Sequence, residues 1–150
     1  MTAVTLAQAS AIVDAALAKA RALGLQPMTV VVLDPGGHAV ALKREDGSGI
    51  LRVEIATGKA WGALALGTGS RVLSDRVASG APGAAFAGAI AAASGGRVVP
   101  VPGGVLIRDG AGAVVGAVGV SGDLSDKDED CAVAGIAAAG LSADTGAKPS

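Results

Sequence analysis

Aromatic residues are almost missing from this sequence: there is Trp61, there is Phe86, and there is no tyrosine. Stacking on nucleobases therefore has little material to work with. The net charge of −1 and the lack of a basic stripe argue in the same direction, so nucleic acid is not an expected partner. Cysteine is limited to Cys131, which excludes an internal disulfide and fits a reducing, cytoplasmic setting. No apolar run reaches the roughly 18 residues that cross a bilayer. The opening MTAVTLAQAS has no basic patch followed by an unbroken apolar stretch, so neither a membrane span nor a secretory signal is expected. His38 is the single histidine, so any Ser-His-Asp set would have to use it, and no phosphate-binding Walker loop is present.

What the chain does contain is small and apolar. Hydrophobic residues make up 51% and mean hydropathy is +0.56, which excludes a solvated, disordered polymer. Glycine occurs 24 times, about twice its usual share, and the apolar residues are mostly alanine and valine. Such side chains let backbones approach closely but bury little area each. At this length one domain is expected over 1–150, with a core at about 5–140. A weakly charged, apolar surface favours assembly with copies of itself, and a homo-oligomer of four or more subunits is the expectation.

Thr5-Leu-Ala-Gln8 has the form of a capping box, and apolar residues recur at helical spacing to a stop at Gly24, which predicts a helix over 5–23. Met28 to Leu33 is a β-branched run read as a buried strand. Asp34-Pro35-Gly36-Gly37 is a turn, and His38 to Arg44 is the returning strand of a hairpin. Helices are expected at 53–66, 70–78 and 82–93; Gly58 and Gly62 within the first of these point to tight packing against a neighbour. Strands are expected at 98–101, 105–108 and 113–121, then a last helix from Ser125 to about Ala139. Residues 142–150 read as a mobile tail. Hairpins separated by helices predict an α+β fold, an antiparallel sheet with helices on its faces.

The segments VVVLDPGGHAVALKREDG, EIATGKAW, VPGGVLIRDGAGAVVGAVGVSG and DKDEDCAVAG, in this order and spacing, resemble the GlcG/HbpS-like family. That family also supplies the C-terminal domain of PduO-type cobalamin adenosyltransferases. The resemblance covers roughly residues 5–140. It implies a five-stranded antiparallel sheet flanked by helices in a three-layer sandwich, assembled into homo-oligomers, and a family in which some members bind heme. In heme-binding relatives it also implies a histidine late in the first helix. Here Lys19-Ala20-Arg21 stands at that point, and neither cation is a usual heme ligand.

Among the residues themselves, His38 reads as a solvated turn residue or, less favourably, as a heme ligand. Cys131 reads as a small buried hydrophobe. The carboxylates Asp123, Asp126, Asp128, Glu129 and Asp130 suit the first turn of a helix and have no metal-loop spacing, so no metal site is expected. Lys59 is out of character on a helix of small apolar residues. It either snorkels to the surface or faces a ligand carboxylate. On the second reading, Arg44, Gly103, Gly104, Ser121 and Gly122 would line the same pocket, and Lys59, Asp128 and Glu129 are the catalytic candidates. Two functions follow: a binding protein for heme or another planar ligand, or a cofactor-independent enzyme acting on a small organic acid.

Overall fold

The computed structural model describes residues 2–148. Its elements are α1 (Leu6–Ala22), β1 (Thr29–Leu33), β2 (Ala39–Arg44), α2 (Arg52–Leu66), α3 (Arg71–Ala78), α4 (Ala81–Ala93), β3 (Gly104–Arg108), β4 (Val114–Ser121), α5 (Ser125–Ala138) and β5 (Ser142–Asp144). The strands form one sheet in the order β2-β1-β4-β3-β5, and each neighbouring pair is antiparallel. The α+β class and the flanked antiparallel sheet therefore match the expectation.

Period-two alternation sends the central strands' side chains to opposite faces. Val30 and Val32 of β1, Val105 and Ile107 of β3, and Val118 and Val120 of β4 pack with Ile12, Val13, Cys131 and Ile136 of α1 and α5. Val31, Leu33, Leu106 and Ala117 point the other way, onto Ala56, Ala60 and Ala63 of α2. The result is three layers: α1 with α5, the sheet, and α2. A third apolar cluster of Leu73, Ala87 and Val98 ties α3 and α4 to the outside of α2. The α1 start is capped as its residues suggest, with Gln8 N donating to Thr5 Oγ1 at 3.1 Å and Thr5 N donating to Gln8 Oε1 at 3.0 Å.

Two elements differ from the sequence expectation. The β-branched run 98–101 is not a strand. Val99 N donates to Gly58 O of α2 and Val101 N to Val99 O, while Pro100 and Pro102 have no N–H to offer a ladder. The segment instead lies on α2, where Val98 and Val99 occupy the space left by Gly62 and Gly58. The fifth strand comes from the stretch read as a mobile tail: Ser142–Asp144 pairs with β3 through Arg108↔Ser142, Ile107↔Ala143 and Leu106↔Asp144. Its register is reinforced by the Arg108–Asp144 ion pair at 2.8 Å. The last two positions of the expected tail, 149 and 150, lie outside the described residues.

Candidate functional site

The Lys59 environment follows from glycine. Gly104 and Gly119 are register partners on β3 and β4. A Cβ on Gly104 would strike the Lys59 carbonyl, and one on Gly119 the Ala56 carbonyl. Without side chains in that row, α2 lies directly on the sheet and Lys59 is carried inside. Its side chain is 2% exposed and Asp128, opposite it, 1%. Lys59 Nζ donates to Asp128 Oδ2 at 3.0 Å and to Val120 O at 2.9 Å. Asp128 Oδ1 in turn accepts from Asp123 N at 2.9 Å. Burial pushes the Lys59 ammonium below the ordinary lysine range, against the pull of Asp128. Burial likewise pushes the Asp128 carboxyl up, against the pull of Lys59. Asp128 is thus turned inward to a partner rather than serving only the helix dipole.

The remaining candidates have internal partners as well. Gly103, at φ +120°, lies against the Lys59 side chain, and its carbonyl accepts from Val120 N. Gly104 N donates to Ser70 Oγ at 2.8 Å, so that N–H is not aimed at a ligand. Ser121 Oγ accepts from Arg52 at 3.1 Å. A Cβ on Gly122 would collide with Pro27 and Met28, so close packing accounts for that glycine. Glu129 holds Arg71 through both carboxylate oxygens, with Nη2 at 2.9 Å from Oε1 and Nε at 3.1 Å from each oxygen.

Arg44 is a correction to the expected set. It sits on β2 at the sheet edge, donates to Ser48 O at 2.7 Å, and lines a separate groove of about 430 Å³ with Arg21, Pro27, Glu45 and Asp46. The expected Lys/Arg/Gly-lined pocket is therefore a closed polar contact around Lys59 plus a surface arginine that lines another groove. The reason is the glycine row: it brings α2 so close to the sheet that the Lys59 side chain is enclosed.

Sequence reasoning missed a more open feature, centred on Trp61. Towards the hairpin, Trp61 lines a cavity of about 180 Å³ with Pro35, Gly36, Gly37, Leu64 and Ala65. Towards α4 it lines a second, of about 260 Å³, with Leu66, Ile90 and Val98 among its walls. Gly37, at φ +85°, fits where a side chain would meet the indole, and the Arg97 guanidinium lies 4.4 Å from the ring centroid. The signal in the sequence was the rarity of the residue: a lone tryptophan, with a Pro-Gly-Gly turn elsewhere in the chain to receive it.

The donors available to heme iron are few. Neither Trp61 cavity is lined by His, Cys, Met or Tyr. His38 is 81% exposed on the adjacent turn, with Nδ1 at 3.2 Å from Asp34 Oδ1. Cys131 is fully buried, and burial raises its thiol to about 11, far from a ready thiolate ligand. Lys19 and Leu23 face Lys127 and Asp130 across a groove between α1 and α5, which offers no iron ligand either. Among the described residues there is no built axial site for heme.

Fold and site together define a glycine-rich α+β domain with an indole-lined recess and a sealed polar core. The chain belongs to the family of haem-degrading HbpS-like proteins, whose model matches residues 4–137. It is 38% identical over 120 residues to the corrinoid adenosyltransferase PduO of Salmonella typhimurium; the match takes in 79% of this chain and 34% of that protein, so the chain corresponds to about a third of that relative. It is 33% identical over 125 residues to an uncharacterized 15.0 kDa protein of Citrobacter freundii, covering 83% and 84% of the two chains. Among solved structures, a PduOC–heme complex superposes with a TM-score of 0.81 at 31% identity, covering 93% of this chain and 96% of the other. HbpS superposes at 0.76 with 30% identity, covering 91% and 90%. Among the described residues, no helix is long and apolar enough to cross a membrane.

Proposed function

We propose that this chain is a small-ligand-binding protein that takes a flat, largely apolar ligand against Trp61. The observation that carries this reading is the pair of cavities sharing the indole, walled by apolar side chains and with the Arg97 cation at the ring. Such recesses, apolar with a few placed polar groups, are where small ligands bind, and a relative of similar fold has been solved with heme. Heme is bound weakly here, through its apolar face rather than its iron, because the cavities offer no axial donor. The enzyme alternative finds less support, since the Lys59–Asp128 pair lacks access to a substrate.

Trp61 is the lone tryptophan and tyrosine is absent, so intrinsic emission reports a single place. Titration with hemin is expected to quench that emission while leaving a broad, unstructured absorbance. A sharp Soret band of micromolar affinity, abolished by His38→Ala, would overturn the weak-heme reading. Unchanged emission with hemin and with other flat ligands would overturn the Trp61 site itself.

The same reading includes a homo-oligomer of four or more subunits in the cytoplasm. Support comes from large apolar side chains left in the open: Ile50 at 95% exposure, Leu124 at 68% and Leu51 at 61%. Light scattering at micromolar concentration checks it, and a monomer mass would sink it.

A further inference from the structure

The largest of the cavities described has neither Trp61 nor Lys59 in its lining. It measures about 590 Å³ and is walled by α3 and by the chain following β5, with Arg71, Val72, Asp75, Arg76, Ala147 and Lys148 among its lining residues. The wall from the C-terminal side is anchored as far as Gly146. β5 is paired to β3, and Gly146 N donates to Asp144 Oδ1 at 2.9 Å. A Cβ on Gly69 would run into the Thr145 backbone, and Gly146, at φ +81°, fits against Val72 and Thr68 only because it has no side chain. Residues 145–148 thus form one side of a shaped recess.

Its charge is unbalanced. Arg71, Arg76, Lys148 and Asp75 line the recess; Arg71 is already paired with Glu129 at 2.9 Å and feels Asp126 as well, which leaves Arg76 and Lys148 against Asp75. Arg71 is oriented by Glu129 through Nε and Nη2, which leaves Nη1 without a bond to Glu129. Arg76 lies 5.2 Å from the Phe86 ring centroid, a cation–π contact that does not use up its N–H donors. The groove at Arg44 is more evenly matched. There two arginines meet two acids, Arg21 is paired to Glu45 at 3.0 Å, and Arg44 is bonded to Ser48 O.

We infer that the recess between α3 and residues 146–148 is a binding site for a small organic carboxylate. Arg76 and Lys148 hold the carboxylate, one as a planar fork and the other as a point charge. Arg71, held by Glu129, shapes the wall, and Val72 and Ala147 cover the carbon skeleton. Asp75 disfavours the denser charge of a phosphate and is placed to accept from a ligand hydroxyl. This site is independent of the Trp61 reading.

The test is an amide ¹H–¹⁵N titration of the whole chain with citrate, succinate and inorganic phosphate, each followed also by Trp61 emission. Citrate or succinate is expected to give saturable shifts concentrated in residues 71–79 and 146–148, with little change in emission. Arg76→Gln and Lys148→Gln should each weaken that binding about tenfold, the scale of one charge-assisted hydrogen bond. Lys148, exposed and outside the core, guards against a folding artefact at Arg76. Absence of saturable shifts, unchanged affinity in Lys148→Gln, or shifts centred on the Arg21–Arg44 groove would each overturn the site. A response to phosphate alone would overturn the carboxylate assignment.

Discussion

The two faces of the sheet are packed by opposite means. On the α1/α5 face, branched and long side chains such as Ile12, Val13, Met28, Ile107 and Ile136 interlock in a continuous apolar cluster. On the α2 face, alanines and the Gly104–Gly119 row bring helix backbone onto sheet backbone, and an ion pair lies at the heart of the contact. The first face is stabilised by area removed from water. The second buries less area per residue, and its stability depends on close approach and on a charge that must keep its partner. A chain poor in large side chains can thus still form a tight layer, but one intolerant of small changes.

The largest effect expected from that difference is at Asp128. Asp128→Ala leaves the Lys59 ammonium buried without its carboxylate and should destabilise the fold by about 3–5 kcal/mol, whereas Lys59→Met combined with Asp128→Leu should recover most of the loss. Urea denaturation of the three proteins checks this, and equal damage in the single and double variants would show that the charge is not what matters.

A smaller effect is expected at Gly119. Gly119→Ala forces a methyl group into the Ala56 carbonyl and should cost about 3 kcal/mol. The same change at Gly110, where a Cβ would meet open space, should be nearly neutral. Thermal melts of the pair would decide whether the α2 face is as closely packed as its contacts indicate.

The smallest effect belongs to the other face and is visible in alkali. The Cys131 thiol, raised by burial from 9.0 to about 11, stays protonated in the folded chain while the unfolded chain loses its proton. Stability contributed by the neutral buried thiol is therefore intact below the unfolded value of 9.0 and lost as pH rises towards about 11, on the order of 2 kcal/mol. Lys59, whose ammonium is lowered by burial, has the opposite slope, so the measurement is the difference between the wild-type chain and Cys131→Ala across this range. A difference that does not change with pH would place Cys131 in contact with water.

Much of this architecture was legible because its signals are local. The Thr5–Gln8 capping box, the Pro35-Gly36-Gly37 turn and the β-branched run of β1 each act within a few residues, and the resemblance of the ordered segments supplied the sheet. The misread elements are non-local. Val98–Val101 has strand composition, yet Gly58 and Gly62 on α2 provide a better surface for it than a sheet edge does. Ser142–Asp144 has no strand composition, yet the open edge of β3 and Arg108 recruit it. The candidate site was legible in part: Lys59 was singled out as a cation among alanines, and the chain does bring it to Asp128, Gly103 and Val120. Arg44 was not separable from that group by sequence, because side chains on one strand face can serve different grooves.

Composition and order by themselves determined that this chain is a glycine-rich α+β domain without an internal disulfide, with few aromatics and a single histidine. Those are properties of residue type and short-range spacing, which act before the chain is folded. Only the tertiary structure decided that Lys59 is enclosed rather than open to a ligand, that Trp61 borders two recesses, and that residues 146–148 wall a cavity beside α3. Each of these depends on how closely two distant segments approach, and that distance is set by the atoms a glycine lacks.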